Sequence, residues 1–240
     1  MLILRRLFVF VIVFAVFSSM LMGQSGARPG LMPVDREMTV EESYLQESIE
    51  LMIIREQSRT DSRDMKFVAL EYIGEAIDRG NRSEEIAAAL EFLSMEGVVN
   101  VTRENGRVVN NFPDVRKEAA AQLGRLGTPE ASQTLLKMVN GDNEPMVITE
   151  AIRSLGTIGS NELDEVTRQI SWTVNRFDRL NPDNFMALSA LEAFEKIAES
   201  SGGLRDRSAI DTIIRIAEGN YVRPVQDRAR ALLNELRRYD

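Results

Sequence analysis

Pro113-Asp114-Val115-Arg116-Lys117-Glu118-Ala119-Ala120-Ala121-Gln122-Leu123-Gly124-Arg125-Leu126-Gly127 is the stretch whose pattern decides the fold. Moved along the chain by 32 residues, Pro113 falls on Pro145, Val115 on Val147, Glu118 on Glu150 and Ala119 on Ala151. In the same register Leu123 meets Leu155, Gly124 meets Gly156, Leu126 meets Ile158 and Gly127 meets Gly159. Such self-similarity at a fixed period is the signature of a repeat architecture. The physical sense is direct. A small Ala lets two helices approach closely, Leu or Ile four and seven residues later fills the layer between them, and Gly after the helix permits the chain to reverse.

The register extends outward in both directions. Ala151, Leu155 and Ile158 map by a shift of 39 onto Ala190, Phe194 and Ile197, and by another 39 onto Ala229, Leu233 and Leu236. Backward by 50, Ala119, Leu123, Gly124 and Leu126 map onto Ala69, Ile73, Gly74 and Ala76. The long first step is an insertion at 98–112. About five copies of a two-helix unit result, the last of them truncated. No unit of this kind buries its apolar face alone, so neighbours must stack, which predicts an all-α superhelix, a solenoid of paired helices. An ordinary helical bundle would show helical periodicity without a shared register of Ala, Leu and Gly.

Helical periodicity runs through residues 39–240. Thr39-Val40-Glu41-Glu42 reads as a capping box, and the helix that follows to about Gln57 carries Leu45, Ile49, Met52 and Ile53 on one face, the expected core face. Further helices are expected at about 62–79, 83–96, 114–126, 129–139, 145–158, 162–179, 184–199, 206–218 and 223–238, with Gly, Asn or Pro at the joints. In 162–179, Leu163, Val166, Ile170, Val174 and Phe177 form the expected core stripe. Residues 98–112 depart from the pattern. Asn105-Gly106 lies between Val98, Val99, Val101 and Val108, Val109, which predicts an extended loop or small two-stranded hairpin.

With these residues in view, Pro113-x-Val115-Arg116-x-x-Ala119-Ala120-x-x-Leu123-Gly124-x-Leu126-Gly127, followed by Leu135-Leu136 and Gly141-Asp142, closely resembles the HEAT-repeat family in its short bacterial form. The motif is strong over 113–160 and degenerate elsewhere. The resemblance implies a HEAT-like α-α superhelix that binds partners on its surface, often on the face lined by second helices. It also implies that Asp114 and Arg116 link neighbouring repeats. Related short repeats occur in enzymes that attach bilins to proteins, and exported HEAT proteins occur in bacterial envelopes.

Residues 1–27 have the layout of an export signal: Arg5 and Arg6, an apolar run from Leu7 to Phe17 prolonged by Met20 to Met22, then small residues. Ser25-Gly26-Ala27 fits cleavage before Arg28, and Gly23-Gln24-Ser25 is a second option. The expected destination is the periplasm or the exterior. Left uncleaved, the same run, near the lower length for a membrane span, would anchor the chain in the inner membrane. Residues 28–38, with Pro29, Gly30 and Pro33, form a flexible lead-in to the repeat domain.

Composition narrows the function. The chain has 29 Lys and Arg against 37 Asp and Glu, a formal net charge of −8. Loss of residues 1–27 removes two arginines and no acid, taking it to −10. That balance gives no support for nucleic-acid binding, which needs a basic footprint. The chain has no Cys and no His, so disulfides, the usual zinc sites and His-dependent nucleophilic mechanisms are excluded. The carboxylate pairs Glu41-Glu42, Glu84-Glu85 and Asp164-Glu165 fall in first helical turns, where acids complement the helix dipole. No catalytic set, metal site or cofactor motif emerges. The expectation is a non-catalytic scaffold whose partners are other envelope proteins. The alternatives are a lyase-type enzyme and, without cleavage, a membrane-tethered binding protein.

Two candidate binding elements stand out. Trp172 lies off the expected core stripe, at helical spacing from Arg168, Arg176 and Arg179, a set able to engage an acidic or aromatic partner through stacking and paired hydrogen bonds. The competing reading packs Trp172 beneath the adjacent repeat with the arginines around it. The second is the insertion, where Val99, Val101, Val108 and Val109 flank a strand edge that could pair with an extended segment. Its competing reading is a loop folded onto its own repeat.

Overall fold

The computed structural model describes residues 39–179 and 181–239. The export-signal and lead-in expectations for 1–38 lie outside the described residues. The chain divides into a unit Met1–Ser43, of which 39–43 are described, and a unit Tyr44–Asp240. In the first, Thr39 N donates to Glu42 Oε2 at 2.9 Å and Glu42 N donates to Thr39 Oγ1 at 3.2 Å, the reciprocal bonds of a capping box.

Ten α-helices occur among the described residues: α1 Val40–Ser58, α2 Arg63–Asp78, α3 Glu84–Ser94, α4 Pro113–Leu126, α5 Pro129–Gly141, α6 Pro145–Ile158, α7 Glu165–Asp178, α8 Asn184–Ser201, α9 Arg207–Glu218 and α10 Arg223–Leu236. Four of them carry proline at their first or second position, where the missing N–H costs nothing: α4, α5, α6 and α10. Capping side chains set other starts. Ser62 accepts from Met65 N, Thr128 from Ala131 N, and Asp183 from Phe185 N and Met186 N. Gly127 and Gly159 end α4 and α6 in the left-handed region, at φ 69° and 72°.

The helices of the second unit form two rows. Helices α2, α4, α6, α8 and α10 stack in sequence as a first row, and α3, α5, α7 and α9 stack as a second. Consecutive helices of each row touch, and so do the pairs α2–α3, α4–α5 and α8–α9. This consecutive-neighbour pattern is the one the repeat register requires. Ala69, Ala119, Ala151, Ala190 and Ala229, the aligned alanines, occupy the same place in successive first-row helices, and all are wholly buried. The core is one continuous aliphatic layer between the rows.

The repeated Leu-Gly pair has a packing role. A Cβ on Gly156 would sit 2.5 Å from Ala193 Cα, and one on Gly124 would sit 2.7 Å from Ser154 Oγ. These glycines are where α6 meets α8 and α4 meets α6. The close approaches of α4 to α6 and of α6 to α8 therefore fall at Gly, one position from the Leu that fills the core.

Two expectations are corrected. The face of α1 with Leu45, Ile49 and Met52 is exposed, and Ile53 is half-buried. The helix instead buries Ile54 and Ser58, with Leu51 packed against the core. Both faces are apolar enough to serve, and the position of α3 selects the second. The helix expected at 162–179 begins at Glu165. Leu163 and Asp164 have positive φ, 51° and 58°, which breaks the helix, and Leu163 is exposed rather than part of the core stripe. The small two-stranded hairpin expected around Asn105-Gly106 forms: its strands are β1 Arg103–Glu104 and β2 Arg107–Val108, paired antiparallel. Both turn residues have positive φ, as a tight hairpin turn needs. Val99 and Val101 precede the strands, where the chain coils back on Met95, whose carbonyl accepts from the amides of Val98, Val99 and Asn100; Val109 follows them, its N–H donating to the Thr102 carbonyl at 3.1 Å.

Candidate functional site

Helix α7 holds a wide face in the core through Val166, Ile170 and Val174, and buries Thr167, Ser171 and Thr173 beside them. It is clamped on both flanks within the second row. Gln169 Nε2 donates to Asn140 Oδ1 of α5 at 2.6 Å, and Asn175 Nδ2 donates to Thr212 Oγ1 of α9 at 3.0 Å. The opposite face therefore has a fixed orientation.

Trp172 occupies that face and is 53% exposed. Arg176 lies over its ring, the guanidinium carbon 5.0 Å from the centroid, and over Phe177 at 5.1 Å. A cation over an indole face is attractive and holds both groups in place. At 100° per residue, positions 168, 172, 176 and 179 fall within about 80° of helix circumference. The structure brings Trp172 and Arg176 into contact. Arg168 instead turns back on the helix start, its Nε donating to the Asp164 carbonyl at 3.2 Å and its Nη2 to the Leu163 carbonyl. Arg179 follows the last turn and is exposed. The result is a Trp172–Arg176 pair on an open helix face, chemistry suited to carboxylate or aromatic groups.

The second candidate element is anchored at its root and open at its tip. Asn110 donates to Glu96 Oε1 at 2.8 Å and to the Asn100 carbonyl at 2.6 Å, while its own Oδ1 accepts from Thr102 N at 2.8 Å. Glu96 pairs with the buried Lys66 at 3.1 Å, and Lys66 also donates to the Ser58 carbonyl at 3.0 Å. Arg116 donates to the Glu96 carbonyl at 3.0 Å and to Asn111 Oδ1 at 2.8 Å. Val99, Val101, Val108 and Val109 are exposed on the loop held by this network.

Sequence reasoning missed this polar knot and the ladder along the second row. Lys137–Glu91, Gln169–Asn140 and Asn175–Thr212 join residues 46, 29 and 37 positions apart. No local motif marks such pairs; only the offset between successive repeats could have found them. Asp114 and Arg116 both tie elements together. Asp114 pairs with Arg63 of α2, whose hydrogen bond holds the Asp114 carboxyl below its usual range. Burial, with a hydrogen bond to Asp178 added, pushes the Tyr221 phenol well above its ordinary value at the joint of α9 and α10. Among the described residues no group of three or more acidic side chains is placed to hold a metal ion, and no helix is long and apolar enough to cross a membrane.

Comparison with known proteins agrees with this architecture. Residues 107–171 match the family described as HEAT repeats. No curated protein matches the chain. Among solved structures, the chain is similar to the complex of CpcE and CpcF of phycocyanin lyase from Nostoc sp. PCC7120, at 16% identity and a TM-score of 0.53, covering 90% of this chain and 71% of that one. At that identity the likeness speaks to fold alone. Residues 107–171 thus match HEAT repeats, and they lie within an all-α helical solenoid.

Proposed function

We propose that this protein is a non-catalytic scaffold that binds other proteins outside the cytoplasm, using the Trp172–Arg176 platform on α7. The observation that carries the reading is the half-exposed Trp172 under a stacked arginine on a helix clamped from both sides. Trp and Arg dominate binding energetics at interfaces, and a pre-set platform loses little entropy on association. The partner surface it fits is acidic or aromatic. The envelope location rests on the layout of residues 1–27.

A photo-crosslinking residue placed at 172 in living cells should capture one discrete envelope protein, and Arg176→Ala should weaken that partner's binding by about tenfold or more. Recovery of no discrete product, or unchanged affinity, would remove the platform from the interface. Sequencing the amino terminus of the protein from the cell decides between release and anchoring. A lyase role is the second reading, supported by the fold likeness to the phycocyanin lyase complex. Transfer of a bilin to an acceptor protein by the purified chain would establish it.

A further inference from the structure

We infer that copies of this chain associate head to tail, the exposed stripe of α1 in one copy seating in the groove between α9 and α10 of the next. The inference does not rest on the scaffold reading, since it needs no other protein.

End repeats of a solenoid normally present a polar outer face, because an apolar one would recruit a neighbour. Here both ends of the described stack are apolar. At one end, Leu45, Ile49 and Met52 stand 60%, 53% and 58% exposed at spacings of four and three residues, a single helical stripe. At the other, α9 and α10 bound a groove of about 680 Å³ with Ile210, Ile214, Leu233 and Tyr239 in its walls and Arg205 and Arg237 beside them.

The two surfaces match in position and in charge. Helix α1 lies beside α3, where Leu51 and Ile54 face Ala88, Ala89 and Phe92, so it occupies a second-row place. The groove, flanked by α9 of the second row and α10 of the first, is itself a second-row place. Seating α1 of another copy there would continue both rows across the junction. Helix α1 carries five Glu and one Arg, whereas residues 202–239 carry eight Arg against five acids. Opposite fields at the two ends steer the heterologous contact and disfavour joining two like ends. A heterologous contact of this type propagates into rings or filaments unless it is capped.

The test uses sedimentation of the purified full chain across a concentration series, on the order of 1 to 100 µM. Mass should rise with concentration, and high salt should weaken the association by screening its charges. Ile49→Glu blocks the head and Arg237→Glu blocks the tail. Both sites are exposed, and unchanged circular dichroism and Tm would verify folding; Met52→Glu serves as an independent head variant. Each blocked variant alone should be monomeric, with affinity reduced by about tenfold or more. Mixed in equal amounts, head-blocked and tail-blocked chains should form a dimer and stop there, because one intact head and one intact tail remain. A wild-type chain that stays monomeric, a tail-blocked chain that still associates, or a mixture that stays monomeric would each overturn the inference.

Discussion

Arg116 and Asp142 meet through two parallel contacts, Nε to Oδ2 at 2.6 Å and Nη2 to Oδ1 at 3.2 Å, and both side chains are almost completely buried. The pair joins α4 to the turn that leads into α6, where Asp142 Oδ1 also accepts from Glu144 N at 2.9 Å. Through Nη1, the same guanidinium holds the end of α3 and the root of the insertion. One residue thus ties three consecutive pieces of chain.

Removal of either partner leaves a buried charge uncompensated. Arg116→Leu or Asp142→Ala should each cost about 3–5 kcal/mol. Urea unfolding of both single variants and the double variant measures it. The double variant should lose clearly less than the two single losses together, since the coupling belongs to the pair.

Gly156→Ala tests the packing role of the repeated glycine. The added methyl would lie 2.5 Å from Ala193 Cα and 2.7 Å from its Cβ, so α6 and α8 must move apart, at about 1–3 kcal/mol. Gly141→Ala is the control: no atom lies within 4 Å of its Cβ position, and loss of chain entropy in the unfolded state should stabilise by about 0.4–1 kcal/mol. Thermal denaturation of the two variants should move in opposite directions.

Ile54→Ala and Ile49→Ala should separate the two apolar faces of α1. Ile54 is 1% exposed and its truncation should cost about 2–5 kcal/mol. Ile49 faces solvent, and its truncation should stay within about 0.5 kcal/mol at concentrations where the chain is monomeric. Equal losses in chemical denaturation would mean that the outward stripe belongs to the core.

Asp114 supplies an acid-dependent contribution. Arg63 holds its carboxyl below the normal range, so the pair stabilises the folded chain above the unfolded carboxylate value of about 3.9. That stability fades as pH falls through the lower folded value, because the unfolded chain takes up the proton first. Asp114→Asn should therefore be less stable than the wild type at neutral pH. The difference should close as the medium is acidified below about 4. Denaturant midpoints measured across that range follow it.

Much of the fold was legible because repetition writes packing into local pattern. The small Ala and the large apolar residue four positions later recur in register in every first-row helix, since each meets an equivalent neighbour, and the glycine that follows recurs at Gly74, Gly124 and Gly156. The hairpin turn at Asn105-Gly106 was legible for a different reason: both residues tolerate positive φ. Helix α1 was misread because it has apolar residues on two sides, and periodicity alone does not say which side finds a partner. The break at Leu163-Asp164 carries no glycine or proline to mark it.

By itself the sequence determined a stack of paired helices with an insertion after its first pair, because the period of the pattern states which contacts repeat. Only the tertiary structure decided that Trp172 faces solvent beneath Arg176, that Lys66, Glu96, Asn110 and Arg116 close around the root of the insertion, and that α1 turns Ile49 outward. These are properties of residues far apart in the chain, and their contacts exist only once the rows have assembled.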